Sequence, residues 1–181
     1  MTGVLLVGGA SSRFGEAKAL AELEGETLAQ RAWRLLREAC DERVAVGKHG
    51  DGLELGFPLL EDASDARAPL AGLVAGLRAA QHDLCAVIPV DAPLLTAGSL
   101  WVLASACRDA AVPQTGPLPG VYRRTATLPV LEERLAHGEL SLRDALAELD
   151  TAVVELPTRV LMNVNTPDDL RAVRDAAHAL A

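Results

Sequence analysis

A short apolar run, Gly3 to Val7, opens the chain and reads as a buried strand; beyond it, strand-like apolar runs alternate with stretches of helical period. Gly25 to Thr27 predicts a turn, with Thr27 capping a helix from Leu28 to Ala39 whose Leu28, Ala32, Leu35, Leu36 and Ala39 share one face. Arg43 to Gly47 and Phe57 to Leu60 predict two further strands, the latter ending at Glu61 and Asp62. After a polar loop to Ala68, Pro69 suits the first turn of a helix reaching about Gln81. Leu84 to Val90 is the next strand; it ends at Asp91, and Pro93 stops it.

Thr96 or Ser99 opens a helix through Cys107, Ala110 to Pro113 and Leu118 to Tyr122 read as strands, and Thr127 caps a helix that Gly138 ends. Ser141 and Asp144 cap a short helix to Leu149, Thr151 to Leu156 and Val160 to Val164 supply late strands, and Thr166, Pro167 and Asp169 begin the terminal helix. This alternation predicts parallel βαβ units and hence the α/β fold class. The expectation is one domain over residues 1–181, since 181 residues, half of them apolar, suffice for a single core.

Ala, Leu and Val supply most of the apolar content, and no uninterrupted apolar run approaches the roughly 20 residues of a bilayer span. No basic start leads into an apolar segment and cleavage site, so a cytoplasmic protein with no membrane partner is expected. A net charge of −8 and a pI near 5.0 disfavour a general nucleic-acid binder while leaving room for a local basic pocket. Cys40, Cys85 and Cys107 lack zinc-ligand spacing and are expected as buried free thiols; His49, His82, His137 and His178 are expected at the surface.

The segment LVGGASSRFGEAK, from Leu6 to Lys18, most narrows the chemistry. Gly8 and Gly9 let the backbone turn sharply and present N–H groups to a phosphate, Ser11 and Ser12 can donate hydrogen bonds, and Arg13 and Lys18 bring positive charge. Walker A is excluded because Gly15 is followed by Glu16 and Lys18 by Ala19; the dinucleotide fingerprint is excluded because Gly8 and Gly9 are adjacent. An ordinary strand-to-helix turn remains the alternative for this segment alone.

In open α/β sheets ligands bind beyond the carboxyl ends of the strands, where Asp62 and Asp91 also fall. Asp91, with Pro93 stiffening the following turn, is the candidate Mg²⁺ ligand; the competing reading is a turn-capping Asp. Asp62, with Asp65 and Arg67 nearby, reads equally as a site residue or as part of a solvated loop. Asn163 or Asn165 could complete a metal shell or contact phosphate, or could cap the terminal helix. Thr166 already offers that cap, which leaves Asn165 for ligand work.

LVGGASSRFGEAK, APLAG from Ala68 to Gly72, PVDAPLL from Pro89 to Leu95 and NVNTPDDL from Asn163 to Leu170, in this order over nearly the whole chain, resemble the molybdenum cofactor guanylyltransferases of the MobA type. PLPGVYRR and GELSLRDAL are similar to family segments as well. The resemblance implies a three-layer α/β/α sandwich, a Rossmann-like nucleotide-sugar-transferase (GT-A) fold with a mostly parallel mixed sheet. It implies transfer of GMP from GTP to the phosphate of a molybdopterin carrying molybdenum, with release of pyrophosphate and Mg²⁺ as cofactor. By the match, Leu6 and Gly8 contact the guanine nucleotide, Lys18 the phosphates, Asp62 the nucleotide, and Asp91 both nucleotide and Mg²⁺, with transient contact to proteins that donate or accept the molybdenum cofactor.

Backbone N–H groups of the loop, Arg13, Lys18 and Mg²⁺ would then carry the charge that develops at the α-phosphorus and on pyrophosphate. The attacking phosphate is already an anion, so no catalytic His is required. The chain departs from the family at Ala17, where relatives carry Asp, at Phe14 for Met, at Ala68 for Gly, and at Gly47, which matches a nucleotide-contacting Asn. Two alternatives follow: a cytidylyltransferase or related nucleotidyltransferase with another phosphorylated acceptor, and a nucleotide-binding module with impaired catalysis. Asp-Ala-Pro at 91–93 in place of Asp-Gln-Pro, together with the PLAG segment, leans toward guanylyl transfer.

Overall fold

The computed structural model describes residues 1–7, 18–48, 54–62, 64, 66 and 68–178. The chain runs through β1 (Thr2–Leu6), the short strands β2 (Glu22–Leu23) and β3 (Glu26–Thr27), α1 (Leu28–Ala39), β4 (Glu42–Gly47), β5 (Leu60–Glu61) and α2 (Pro69–Ala79). It continues with β6 (Leu84–Pro89), α3 (Ala97–Ala106), β7 (Ala110–Pro113), β8 (Gly120–Arg123), α4 (Arg124–Ala136), α5 (Leu142–Leu146), β9 (Thr151–Val154) and α6 (Pro167–His178). β2 and β3 form a separate hairpin, and the other strands form one seven-stranded sheet in the order β5-β4-β1-β6-β8-β7-β9. Only β8 runs against its neighbours in that sheet; β1, β4, β5 and β6 pair in parallel, as do β7 and β9. The sheet is therefore mixed and mostly parallel.

β1 is buried throughout. Successive side chains serve opposite faces of a strand. Leu5 joins Leu28, Leu36, Leu100, Leu103 and Val173, drawn from α1, α3 and α6. Val4 and Leu6 join Leu70, Leu73, Leu77, Leu131 and Ala145, drawn from α2, α4 and α5. The sheet thus lies between two helical layers, and its central strands read as continuous apolar runs because neither face meets water. α2 approaches β1 so closely that a Cβ on Gly76 would stand 2.3 Å from Val4 Cγ1.

Local chemistry explains the elements that match expectation. Thr27 Oγ1 accepts the Gln30 N–H at 3.2 Å while the Gln30 side chain accepts the Thr27 N–H at 3.1 Å, a capping box that starts α1. Ser141 caps α5 through the Asp144 N–H, and Thr96, not Ser99, caps α3. At the expected turn the chain forms the β2–β3 hairpin, with Glu24 and Gly25 at φ 54° and 79°, the pair of positive values a tight two-residue hairpin favours.

Other expectations are corrected. The third strand shrinks to Leu60–Glu61, and β8 starts at Gly120 rather than Leu118. Val160 to Val164 is not a strand; Thr158–Leu161 is a 3-10 turn, and the apolar run earns its burial by seating Leu161 and Val164 in the core. Thr127 lies inside α4 and does not cap it. Its hydroxyl donates to the Asp109 carbonyl at 3.1 Å, and Asp83 caps the helix instead by accepting the Thr125 N–H at 2.8 Å.

Among the thiols Cys85 is buried, while Cys40 and Cys107 are half-buried rather than fully so. Burial pushes Cys85 up to about 12 and Cys40 up to about 11, and raises Cys107 as well, so none is a thiolate nucleophile at neutral pH. His137 is exposed at the end of α4, and His82 is partly exposed, hydrogen-bonding Thr2 at 3.0 Å; His49 and the His178 side chain lie outside the described set. No helix among the described residues is long and apolar enough to cross a membrane.

Two stability tests follow from this packing. Gly76→Ala should lower unfolding stability by about 1–3 kcal/mol, because Val4 or the helix must shift to admit the methyl, and urea denaturation reads it directly. Burial raises the Asp83 carboxyl, but the Thr125 hydrogen bonds and the Arg123 guanidinium outweigh it and hold the group below its ordinary 3.8. Its stabilising contribution is therefore present above about pH 4 and lost as pH falls through the lower folded value. Asp83→Asn should cost about 1 kcal/mol at neutral pH, with the gap to wild type narrowing as the medium is acidified below pH 4.

Candidate active site

From β1 the sheet is built outward to β4 and β5 on one side, and the chain then returns to place β6 on the other. That reversal opens a crevice at the carboxyl ends of β1 and β6, the position where open α/β sheets bind ligands. Each strand end there is tied to its neighbour. The Val7 N–H donates to the Val46 carbonyl at 2.8 Å, and the Val90 N–H to the Leu6 carbonyl at 3.2 Å. Leu6 is thus held at the crevice floor, with Gly72 of α2 packed so near that its Cβ would lie 3.2 Å from Leu6 Cδ2. The APLAG segment accordingly serves packing behind β1; Ala68 precedes α2 without a side-chain cap, and Pro69 fills its first turn.

Lys18 stands at the centre of the crevice. Its Nζ lies 3.0 Å from Asp91 Oδ2 and 2.8 Å from Asn165 Oδ1, joining residues 73 and 147 positions away. Asp91 follows β6, and its carbonyl accepts the Val164 N–H at 2.8 Å, which brings the NVNTP segment alongside. Asp169 then accepts the N–H groups of Asn165 at 2.9 Å and Thr166 at 2.8 Å, while Thr166 Oγ1 accepts the Asp169 N–H. The Asn165 N–H first, then the Thr166 bonds, with Lys18 adding charge, hold the Asp169 carboxyl below its ordinary value. Since Thr166 and Asp169 cap α6 reciprocally, the Asn165 amide is left to face Lys18. Asn163 is exposed on the other side of the buried Val164.

A second cluster sits at the ends of β4 and β5. Asp62 is buried, its N–H extends the ladder to the Gly47 carbonyl at 2.8 Å, and its Oδ2 lies 2.7 Å from Lys48 Nζ. Asp62 Oδ1 accepts the Ser64 N–H at 2.9 Å, and Lys48 also donates to the Ser64 carbonyl. The preceding segment is pinned to α1 by Phe57, which stacks on Trp33 with ring centroids 4.5 Å apart, while the Arg43 guanidinium lies 4.4 Å from the Trp33 ring centre. A side chain at Gly47 would meet Leu59, whose Cδ2 lies 2.8 Å from the Cβ position.

Lys18, Asp91 and Asn165 are therefore brought together, Asp62 belongs to a neighbouring cluster, and Leu6 lies between them. Gly8, Gly9, Ser11, Ser12, Arg13, Phe14 and Ala17 lie outside the described residues. Two participants carry no obvious sequence signal: Lys48, and Arg31, whose Nε donates to the Pro93 carbonyl at 3.0 Å and so braces the turn after Asp91.

The donor set suits a divalent cation. A carboxylate oxygen and an amide oxygen already converge on one positive charge, the Lys18 ammonium, and hard oxygen donors of this kind fit Mg²⁺. Among the described residues no cluster of three or more His, Cys, Asp or Glu side chains could hold a metal.

Residues 3–153 match the model of the MobA-like NTP transferase domain. The chain is 37% identical over 178 residues to a Deinococcus radiodurans protein named "Probable molybdenum cofactor guanylyltransferase", covering 94% of this chain and 92% of that one. It is 34% identical to the molybdenum cofactor guanylyltransferase of Pseudomonas putida, covering 93% and 94%. The crystal structure of molybdopterin-guanine dinucleotide biosynthesis protein A from Archaeoglobus fulgidus superposes with a TM-score of 0.82 at 23% identity, over 99% of this chain and all of that one, and attests the fold. With a mostly parallel mixed sheet, a crevice at its strand reversal and sequence similarity along its length, the chain belongs to the MobA-like NTP transferase family and is a nucleotidyltransferase.

Proposed function

We propose that this chain, acting as one domain over residues 1–181, transfers GMP from GTP to the phosphate of a molybdenum-carrying molybdopterin and releases pyrophosphate. The observation that carries the reading is the convergence of Asp91, Asn165 and the Lys18 ammonium at the strand reversal. Relatives named for guanylyl transfer at 34–37% identity support the choice of nucleotide and acceptor.

Asp91 and Asn165 would hold Mg²⁺, which when bound supplies charge neutralisation at the phosphoryl oxygens. Lys18 exchanges its carboxylate and amide partners for triphosphate oxygens as the nucleotide enters. By the resemblance, Gly8, Gly9, Ser11 and Arg13 would contact the phosphates. An acceptor phosphate oxygen attacks the α-phosphorus in line, the bond to the bridging oxygen of the β-phosphate breaks, and pyrophosphate departs. Lys18 and Arg13 offset the charge that gathers on the departing group. No proton need be removed from the attacking anion, and so no side chain serves as general base. Arg31, donating to the Pro93 carbonyl, ties the turn after Asp91 to α1. The acceptor reaches the enzyme through transient contact with proteins that carry the molybdenum cofactor.

Titration calorimetry with GTP, CTP, ATP and UTP should give selective GTP binding strengthened by Mg²⁺; CTP preference would instead favour the cytidylyl reading. Asp91→Asn should cut pyrophosphate release on the order of 10²-fold or more while unfolding stays cooperative. Near-wild-type turnover removes Asp91 from the mechanism. Lys18→Ala should weaken GTP binding about tenfold or more and leave guanosine binding unchanged; equal losses would refute its phosphate role. The sequence departures at Ala17 and Gly47 motivate one second reading, a module that binds nucleotide without turning it over. GTP binding with no pyrophosphate release in the presence of authentic acceptor would establish it.

A further inference from the structure

We propose that a cleft beside the turn after Asp91 binds a small organic anion, a compound carrying one carboxylate or phosphate group on an apolar body, with Arg159 holding the charged group. The cleft has a volume of about 500 Å³, within the range of small-molecule sites. α1 forms one wall and residues 92–97 a second, with Arg159 and Ala177 completing the lining. Lys18, Asp91 and Asn165 are not among its lining residues. It is therefore separate from the site at the strand reversal, and the inference does not depend on which nucleotide the enzyme uses.

Ala32 and Leu35 lie one helical turn apart on the buried side of α1 and, with Leu95, give the cleft its apolar surface. Leu161 and Val164, seated in the core, hold the 3-10 turn Thr158–Leu161 against the domain, and the Arg159 carbonyl accepts the Met162 N–H at 3.2 Å. Three guanidinium groups line the cleft, and two are already engaged. Arg34 holds both oxygens of Glu26 and one of Glu38, at distances of 3.0 to 3.1 Å. Arg31 donates to the Pro93 carbonyl at 3.0 Å and lies near Glu24 and Glu26. Arg159 pairs with no carboxylate among the described residues, and its Nε is buried without a hydrogen-bond partner.

A buried N–H without an acceptor is costly, and an oxyanion removes the cost. The Nε–H and the neighbouring Nη–H of a guanidinium form a fixed fork that two oxygens of a carboxylate or phosphate match. The apolar surface beside that fork favours a ligand with a hydrophobic body over a bare inorganic ion. Arg31 links the cleft to the catalytic turn. Its Nε holds the Pro93 carbonyl, while its Nη groups lie in longer pairs of 3.4 and 3.9 Å that a bound anion can take over. A ligand in the cleft thus reaches the turn after Asp91 through one side chain.

The test is titration of the full chain with phenyl phosphate, benzoate and inorganic phosphate, read by calorimetry and by the magnetic resonance signals of the arginine Nε–H groups, the Arg159 signal being the one missing from Arg159→Met. Phenyl phosphate or benzoate should bind and shift the Arg159 signal, and the tighter of the two identifies the charged group as phosphate or carboxylate. Inorganic phosphate, with no apolar body to bury, should bind about tenfold more weakly or worse. Arg159→Met should weaken the preferred ligand about tenfold or more. Ala177→Leu, which keeps every charge and narrows the cleft, should weaken it as well, and Lys18→Ala should retain it; thermal unfolding checks that each variant is folded. An unmoved Arg159 signal, loss of binding in Lys18→Ala rather than in Arg159→Met, inorganic phosphate binding as tightly as phenyl phosphate, or no binding of either aromatic anion at millimolar concentration would each overturn the proposal.

Discussion

β1 has no free side. Hydrogen-bonded partners flank both its edges, and packed helices cover both its faces. The candidate site side chains are positioned relative to this strand: Asp91 through β6, and Asp62 and Lys48 through β5 and β4. Ladder bonds that continue past the strands proper, from Val7 to Val46 and from Val90 to Leu6, carry that rigidity to the rim of the crevice. A polar constellation at such a rim needs little additional ordering, because its backbone is already part of the sheet.

The two lysines illustrate different uses of one charge. Lys18 is held by a carboxylate and an amide at a point suited to a cation, so its ammonium has an evident competitor and an evident alternative partner in a triphosphate. Lys48 is locked between a buried carboxylate and a carbonyl, in contacts that orient the pair. Removing Lys18 would leave two oxygens that water or metal can serve. Removing Lys48 would leave a buried charge without its counter-ion, which is costly by several kcal/mol in a low-dielectric setting.

Legibility in the sequence followed how local each cause is. α1 and β7 run from Leu28 to Ala39 and from Ala110 to Pro113, as expected, because a capping box and a bounded apolar run are complete within a few residues. The start of α4 was not legible, since its cap is Asp83 from a distant turn, and the hydroxyl of Thr127 is spent on Asp109. Val160 to Val164 looked like a strand because burial alone makes a run apolar, whatever backbone shape does the burying. Asp91 and Asn165 were legible from their places past a strand and before a helix, although nothing in their spacing says that Lys18 would join them. The Lys48–Asp62 pair depends on how β4 meets β5, a pairing two residues long on its shorter partner.

The reversed direction of β8 has a topological effect at the far side of the crevice. Because β7 and β8 are joined by a hairpin rather than a crossover helix, residues 114–119 turn over at the same carboxyl edge that carries Asp91. The Gln114 amide clips this turn to the Leu156 backbone on both its donor and acceptor sides. A hairpin tip so fastened at its base can lengthen at a cost of only about 0.6 kcal/mol per doubling, without moving a strand. The sheet thereby keeps its chemistry constant on one side of the cleft and leaves the opposite rim open to evolutionary change.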